Sequence, residues 1–339
     1  MPISFMPVRD TVPQYAVFGK LPDCGDFIRI GNTSHPAVLE FDGIIARSLA
    51  YVSRQPGWNE ETVLRAGGSD FLFTTYDRRW CYFGGLQPSR DKAGRLYPLV
   101  AGAILPIYAV SPVFPEIPIA NELFFNGLRD VLSNAVGTGD LQPCKRFLEA
   151  WALPNPHAQD DLELAGQLLS RHMAKTSVAK LQAALSDNRC PALDDILLAF
   201  IFHVDLLSRL GASAQKQVIA LPLSGKEGES TLDQGMWLAF YRAAMGKNNT
   251  RFPDFISKND DRRTLSLASG RLGDRCLGAL WDMENDPASI LDAGDSNASW
   301  KQHRPWTDAA YTLGRQVQNP DLDISSLVST VERIAGNVS

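Results

Sequence analysis

The sequence has no long uninterrupted hydrophobic run, no paired cysteines and no paired histidines, and each absence removes a class of function. Its most apolar stretch, Ile196–Leu207, carries His203 and Asp205. It is too short for a bilayer and predicts a buried core helix. The five cysteines, Cys24, Cys81, Cys144, Cys190 and Cys276, are odd in number and scattered. With no C-x-x-C among them they support neither a zinc ribbon nor a disulfide framework, and reduced thiols in the cytoplasm are expected. His35, His157, His172, His203 and His303 never fall at ligand spacing and H-E-x-x-H is missing, so no metal or other cofactor is expected. An excess of positive charge is lacking too. Lys and Arg number 33 against 38 Asp and Glu, a net charge of −5, which counts against a nucleic-acid partner. Met1-Pro2-Ile3-Ser4-Phe5-Met6-Pro7 has no basic segment leading into an apolar one, so neither secretion nor direct membrane insertion is expected.

What is present is the composition of an ordinary globular protein: 339 residues, 45% apolar and 21% charged, enough for two domains. Tyr15–Phe18 reads as a strand. Pro36 behind Ser34 marks a helix start, and Val38, Phe41, Ile45, Leu49 and Val52 recur at helical spacing. Strands follow at 71–76, 80–84 and 98–105. Hairpin-connected strands with a helix on one face indicate an α+β domain with a mostly antiparallel sheet. We place it at 1–115. The remainder, 116–339, reads as mainly helical, with strands near 217–223 and 264–269. Its helices are expected at 120–136, 143–152, 160–173, 177–186, 194–210, around Trp237, Phe240 and Tyr241, at Asp274–Asp282, 306–317 and 324–335.

The N-terminal elements converge on one turn-rich stretch, Gly84-Gly85-Leu86-Gln87-Pro88-Ser89-Arg90-Asp91-Lys92-Ala93-Gly94-Arg95-Leu96-Tyr97-Pro98-Leu99-Val100. Pro88, Gly94 and Pro98 exclude continuous helix or central strand between them. Ser89-Arg90-Asp91-Lys92 matches the S-x-x-K of serine acyl-enzymes, making Ser89 and Lys92 candidates for nucleophile and base. Gly94 and the flanking strands argue against the shared helical face that this chemistry needs. Lys175-Thr176-Ser177 and Ser186-Asp187-Asn188 stand in the wrong order for the companion motifs. Gly19-Lys20 after a strand suggests a phosphate loop, but Gln14 and Leu21 occupy positions that require Gly and Ser/Thr. Asp160-Asp161 and Asp194-Asp195 sit at helix starts, where carboxylates cap amides and complement the dipole. Asp260-Asp261-Arg262-Arg263 reads as a solvated turn. The simplest reading of the central loop is a turn closed by Asp91 and Arg95, with Gly94 at positive φ. That reading leaves unexplained why Lys20, Asp26, Arg90, Asp91, Lys92 and Arg95 crowd two loops.

Together, Phe18-Gly19-Lys20-Leu21-Pro22-Asp23-Cys24-Gly25-Asp26-Phe27 and the central stretch resemble the TagF (ImpM) family, accessory proteins of the bacterial type VI secretion system. The family patterns are G-K-L-P-x-x-G-D-F and P-S-x-D-x-x-G-R-x-x-P-L, and the resemblance covers about residues 15–105. Asp23-Cys24 replaces the usual small residue and arginine, which alters the charge of that loop. The resemblance implies an N-terminal longin-like or SNARE-like fold and a non-catalytic, cytoplasmic regulator. Such a protein represses apparatus assembly through protein–protein contacts with secretion components, a forkhead-associated scaffold protein among them. By carry-over, Lys20, Asp26, Ser89, Asp91 and Arg95 are the binding residues. Gly19, Pro22, Gly25, Pro88, Gly94 and Pro98 shape the loops. The alternative is a serine hydrolase using Ser89 and Lys92.

Overall fold

The computed structural model describes residues 14–338 except 66, 153–158, 211–216, 227, 246–252, 259–262, 269–271 and 276–289. Residues 14–106 form five strands and two helices. β1 (Gln14–Gly19) and β2 (Ile28–Gly31) are followed by α1 (Pro36–Val52) and α2 (Glu60–Arg65). Then come β3 (Ser69–Thr74), β4 (Trp80–Gln87) and β5 (Leu99–Pro106). Helices follow: α3 (Ile107–Val110), α4 (Ile117–Ala120), α5 (Glu122–Thr138), α6 (Gln142–Ala152), α7 (Gln159–Lys175), α8 (Val178–Asp187) and α9 (Leu193–Leu210). The C-terminal part adds β6 (Ile219–Pro222), α10 (Glu229–Met245), β7 (Asp254–Lys258) and β8 (Thr264–Ala268), then α11 (Trp306–Val317) and α12 (Ile324–Val338). The α+β class inferred from the strand order is observed.

The eight strands of the described residues join one antiparallel sheet in the order β2-β1-β5-β4-β3-β7-β8-β6. The strands expected near 217–223 and 264–269 are β6 and β8. They reach the N-terminal strands through β7, which pairs with β3 from Ser69↔Lys258 to Leu72↔Phe255. Stretches assigned to separate regions at residue 115 therefore share one ladder.

Side chains leave a strand on alternate faces, and here both faces are covered. Phe71 and Phe73 of β3 and Tyr82 of β4 meet α1, where Phe41 stacks on Phe71 with ring centroids 4.4 Å apart. Leu72 and Phe83 face the other way into a larger core built with α5, α9 and α10. This explains why β3, β4 and β5 are buried almost throughout and do not alternate between buried and exposed. The apolar stretch Ile196–Leu207 lies within α9, where Leu197 and Phe200 are fully buried. Among the described residues no helix is long and apolar enough to cross a membrane.

Several sequence expectations need correction. β4 continues through Gly84–Gln87, placed above in the loop, because these residues pair with Leu99–Gly102 of β5. His35, not Ser34, caps α1, its Nδ1 accepting from the Ala37 amide at 3.2 Å. β2, α2 and β7 had no clear signal. Each is six residues or fewer, and β7 begins and ends on a charge. The helix expected at 274–282 and the turn at 260–263 fall largely outside the described residues.

The β3–β7 seam carries a fully buried carboxylate. Asp254 Oδ1 accepts from the Thr74 amide (2.9 Å) and hydroxyl (2.6 Å), and Oδ2 from the Leu272 amide (2.9 Å). Burial pushes its pKa up to about 6, against those hydrogen bonds and the charge of Arg78. A carboxyl that binds its proton more tightly when folded makes the fold more stable as pH falls through about 6 towards the ordinary aspartate range. Urea titrations at pH 7 and pH 4.5 should show wild type gaining stability on acidification relative to Asp254→Asn. Parallel behaviour of the two proteins would refute this.

Candidate functional site

β1 and β4 both pair antiparallel to β5, so they run in the same direction and release their following loops at the same end of the sheet. The β1–β2 loop carries Lys20–Phe27 and the β4–β5 loop carries Pro88–Pro98. Topology thus brings together two segments some 70 residues apart.

The first join is steric. Gly19 has φ +130°, and a Cβ there would lie 2.1 Å from the carbonyl oxygen of Pro98. Glycine lets the end of β1 lie against Pro98. The second join is a backbone hydrogen bond, from the Lys92 amide to the Cys24 carbonyl at 3.0 Å. The third is aromatic: Phe27 meets Tyr97 edge-on at 5.1 Å, and the Tyr97 hydroxyl donates to the Asp42 carbonyl of α1 at 3.1 Å.

Asp91 stands at the centre. Its Oδ1 accepts from the amides of Ala93 (3.0 Å) and Arg95 (2.9 Å). Its Oδ2 meets Arg95 Nε at 2.7 Å and Lys20 Nζ at 3.1 Å. Aspartate is suited to this because its short side chain folds back on the amides two and four residues ahead. Backbone bonds complete the turn, from the Asp91 amide to the Arg95 carbonyl (3.1 Å) and from the Gly94 amide to the Asp91 carbonyl (2.9 Å). Gly94 supplies the left-handed residue, φ +81°. Removal from water raises the Asp91 pKa. The Arg95 amide, the Lys20 and Arg95 side chains and the Lys20 charge outweigh that and hold it at about 2.

Arg95 serves both loops. Besides Asp91 it donates from Nη2 to the Gly25 carbonyl at 3.1 Å, yet 63% of its side chain remains exposed. Lys20 is 14% exposed and also donates to the Arg95 carbonyl at 3.4 Å. Of the charged residues carried over as binding residues, Lys20, Asp91 and Arg95 form one network. Asp26 is exposed and makes no ion pair among the described residues. Gly25 contributes its carbonyl, and a methyl group added there would meet nothing within 4 Å. Pro88 and Pro98 are buried and Pro22 is half-buried, which fits scaffolding of the loops.

Ser89 is 1% exposed, and its hydroxyl has no hydrogen-bond partner among the described residues. Its carbonyl accepts from the Tyr97 amide at 3.0 Å. Lys92 points to solvent, and no helix joins it to Ser89. The S-x-x-K match therefore lacks its nucleophile–base geometry. Among the described residues no three His, Cys, Asp or Glu side chains gather as a metal site. Phe27 and Tyr97 lie within the two motif stretches, but nothing in the sequence marks them as a contact. Asp42, on a helix between them, left no sequence signal.

Two outcomes test this geometry. Gly19→Ala should destabilise the fold by about 3 kcal/mol in urea titration, because strain and collision coincide. A carboxyl held below its ordinary range contributes stability that is lost as pH falls from about 4 towards 2. Asp91→Asn should be weaker than wild type at pH 7, and the difference should shrink in that acid window.

Residues 16–151 match the family model of the TagF N-terminal domain, type VI secretion system-associated. No curated protein matches the sequence. Among solved structures, the crystal structure of PA0076 from Pseudomonas aeruginosa PAO1 is similar over 41% of this chain, with 19% identity and a TM-score of 0.33. The match spans 61% of that chain, less than two thirds of its length.

Proposed function

From the TagF N-terminal domain that this type VI secretion system-associated chain carries over residues 16–151, we propose that the protein is a non-catalytic, cytoplasmic regulator that represses assembly of the apparatus through protein–protein contacts. Its partner in this reading is another secretion component, a forkhead-associated scaffold protein being the first to test. The face that meets the partner is the charged end of the sheet formed by the β1–β2 and β4–β5 loops.

The observation that carries the reading is the Asp91 cluster. It fixes both loops to one another yet leaves Arg95 63% exposed, with Lys92 and Asp26 exposed on the same two loops. A rigid sheet that presents oriented charges suits recognition. The buried, partnerless hydroxyl of Ser89 favours this over the serine hydrolase, which needs an accessible nucleophile beside a base.

Arg95→Ala should abolish recovery of secretion components in affinity purification from the native cell. The thermal midpoint should move by only a few degrees, because the Arg95 side chain is 63% exposed and Asp91 keeps Lys20 and two amides as partners. Undiminished recovery, or a loss that merely follows unfolding, would refute the surface reading. Labelling of Ser89 by a covalent serine probe would restore the hydrolase.

A further inference from the structure

β2 ends the sheet, and among the described residues no strand or bridge lies on its outer side. The ladder shows which of its backbone groups are spare. The Asn32 amide donates to the Tyr15 carbonyl at 2.9 Å, so Tyr15 and Asn32 form a hydrogen-bonded pair. Bonded and non-bonded pairs alternate in an antiparallel ladder. With the register Val17↔Ile30, Phe18↔Arg29, Gly19↔Ile28, the residues bonded to β1 are Ile28 and Ile30. The amide and carbonyl of Arg29 face outward.

The side chains of the edge are prepared on both faces. Arg29 lies over the Phe27 ring at 4.9 Å and reaches Asp42 Oδ2 at 3.4 Å, while 48% of its side chain stays exposed. It is an oriented guanidinium with most of its donors unused. On the opposite face Ile28 and Ile30 pack on the larger core but remain only half-buried, so a further strand would complete their burial. A second copy of this chain is a poor occupant. Two-fold pairing of so short an edge sets the two Arg29 side chains opposite or diagonal to one another, and like charges there repel. Asp26, exposed at the head of the strand, keeps acidic residues away from that end.

We propose that the outer edge of β2 receives an extended segment of a partner protein by strand addition, with a carboxylate of that segment on Arg29 and an apolar side chain against Ile28 and Ile30. The proposal rests on the regulator reading in one respect, since β2 begins directly after the loop assigned to the partner. Main-chain hydrogen bonds supply affinity in this mode and alternate side chains supply specificity.

The test uses the full-length chain and three eight-residue peptides: one alternating valine with glutamate, its valine–lysine counterpart, and the glutamate peptide N-methylated on alternate amides. In hydrogen exchange the Arg29 amide should be fast in the free protein and slowed by the glutamate peptide. Fluorescence anisotropy should show that peptide binding about tenfold more tightly than the lysine peptide. Arg29→Glu should reverse the preference, and the N-methylated peptide should not bind. Four results would each overturn the proposal: an Arg29 amide already slow in the free monomer, equal binding of both charges, full binding of the N-methylated peptide, or concentration-dependent dimerisation through β2. None of these bears on recovery of secretion components by Arg95→Ala, so failure here is distinct from failure of the function proposed above.

Discussion

A single carboxylate holds the motif-bearing end of this protein together. Asp91 accepts two amides of its own turn and two cations, one from its own loop and one from the loop after β1. Without it, Lys20 would be an uncompensated and mostly buried charge, and the 91–95 turn would lose its side-chain acceptors. Gly19 against Pro98 and Phe27 against Tyr97 fix the spacing of the loops, but neither supplies the charge balance. The exposed guanidinium of Arg95 is held in place only because its inner edge is bound to Asp91 and Gly25.

The site depends in turn on the sheet. The loops meet because β1 and β4 flank β5, and that order is stable because aromatic and aliphatic side chains fill both faces of the central strands. The C-terminal part is integral to this arrangement. Without β7 the outer edge of β3 would be open, a liability that proteins commonly manage by pairing or covering. Polar ties accompany the join: Arg129 on Asp70 across α5 and β3, Gln234 on Ser257 at 2.8 Å across α10 and β7, and Asp254 on Thr74.

Asp91 and Asp254 show how one residue type is tuned in opposite directions. Both side chains are shielded from solvent by their surroundings. Asp91 has two cations in direct contact and titrates low. Asp254 has one hydroxyl and two amides, with Arg78 acting only through its charge, so desolvation prevails and it titrates high. The first stands beside solvent on a charged loop, the second in a seam closed off from solvent.

The α+β class, long helices such as α5, α9 and α12, and the two motifs are legible along the chain. Each rests on local rules: periodicity for helices such as 306–317, turn residues for the loops, and the spacing of Asp91, Gly94 and Arg95 for a closed turn. The sequence did not reveal β2, β7 or the extension of β4, because a short strand is defined by its neighbour more than by its residues. The cluster was half legible. The pairing of Asp91 with Arg95 lies within one turn, whereas the membership of Lys20, the exposure of Asp26 and the burial of Ser89 were settled only when β1 and β4 came to flank β5. Turn chemistry acts over a few residues and can be read along the chain. The position of a charge relative to another loop depends on strand order, and that order is decided by how the whole sheet buries its two faces.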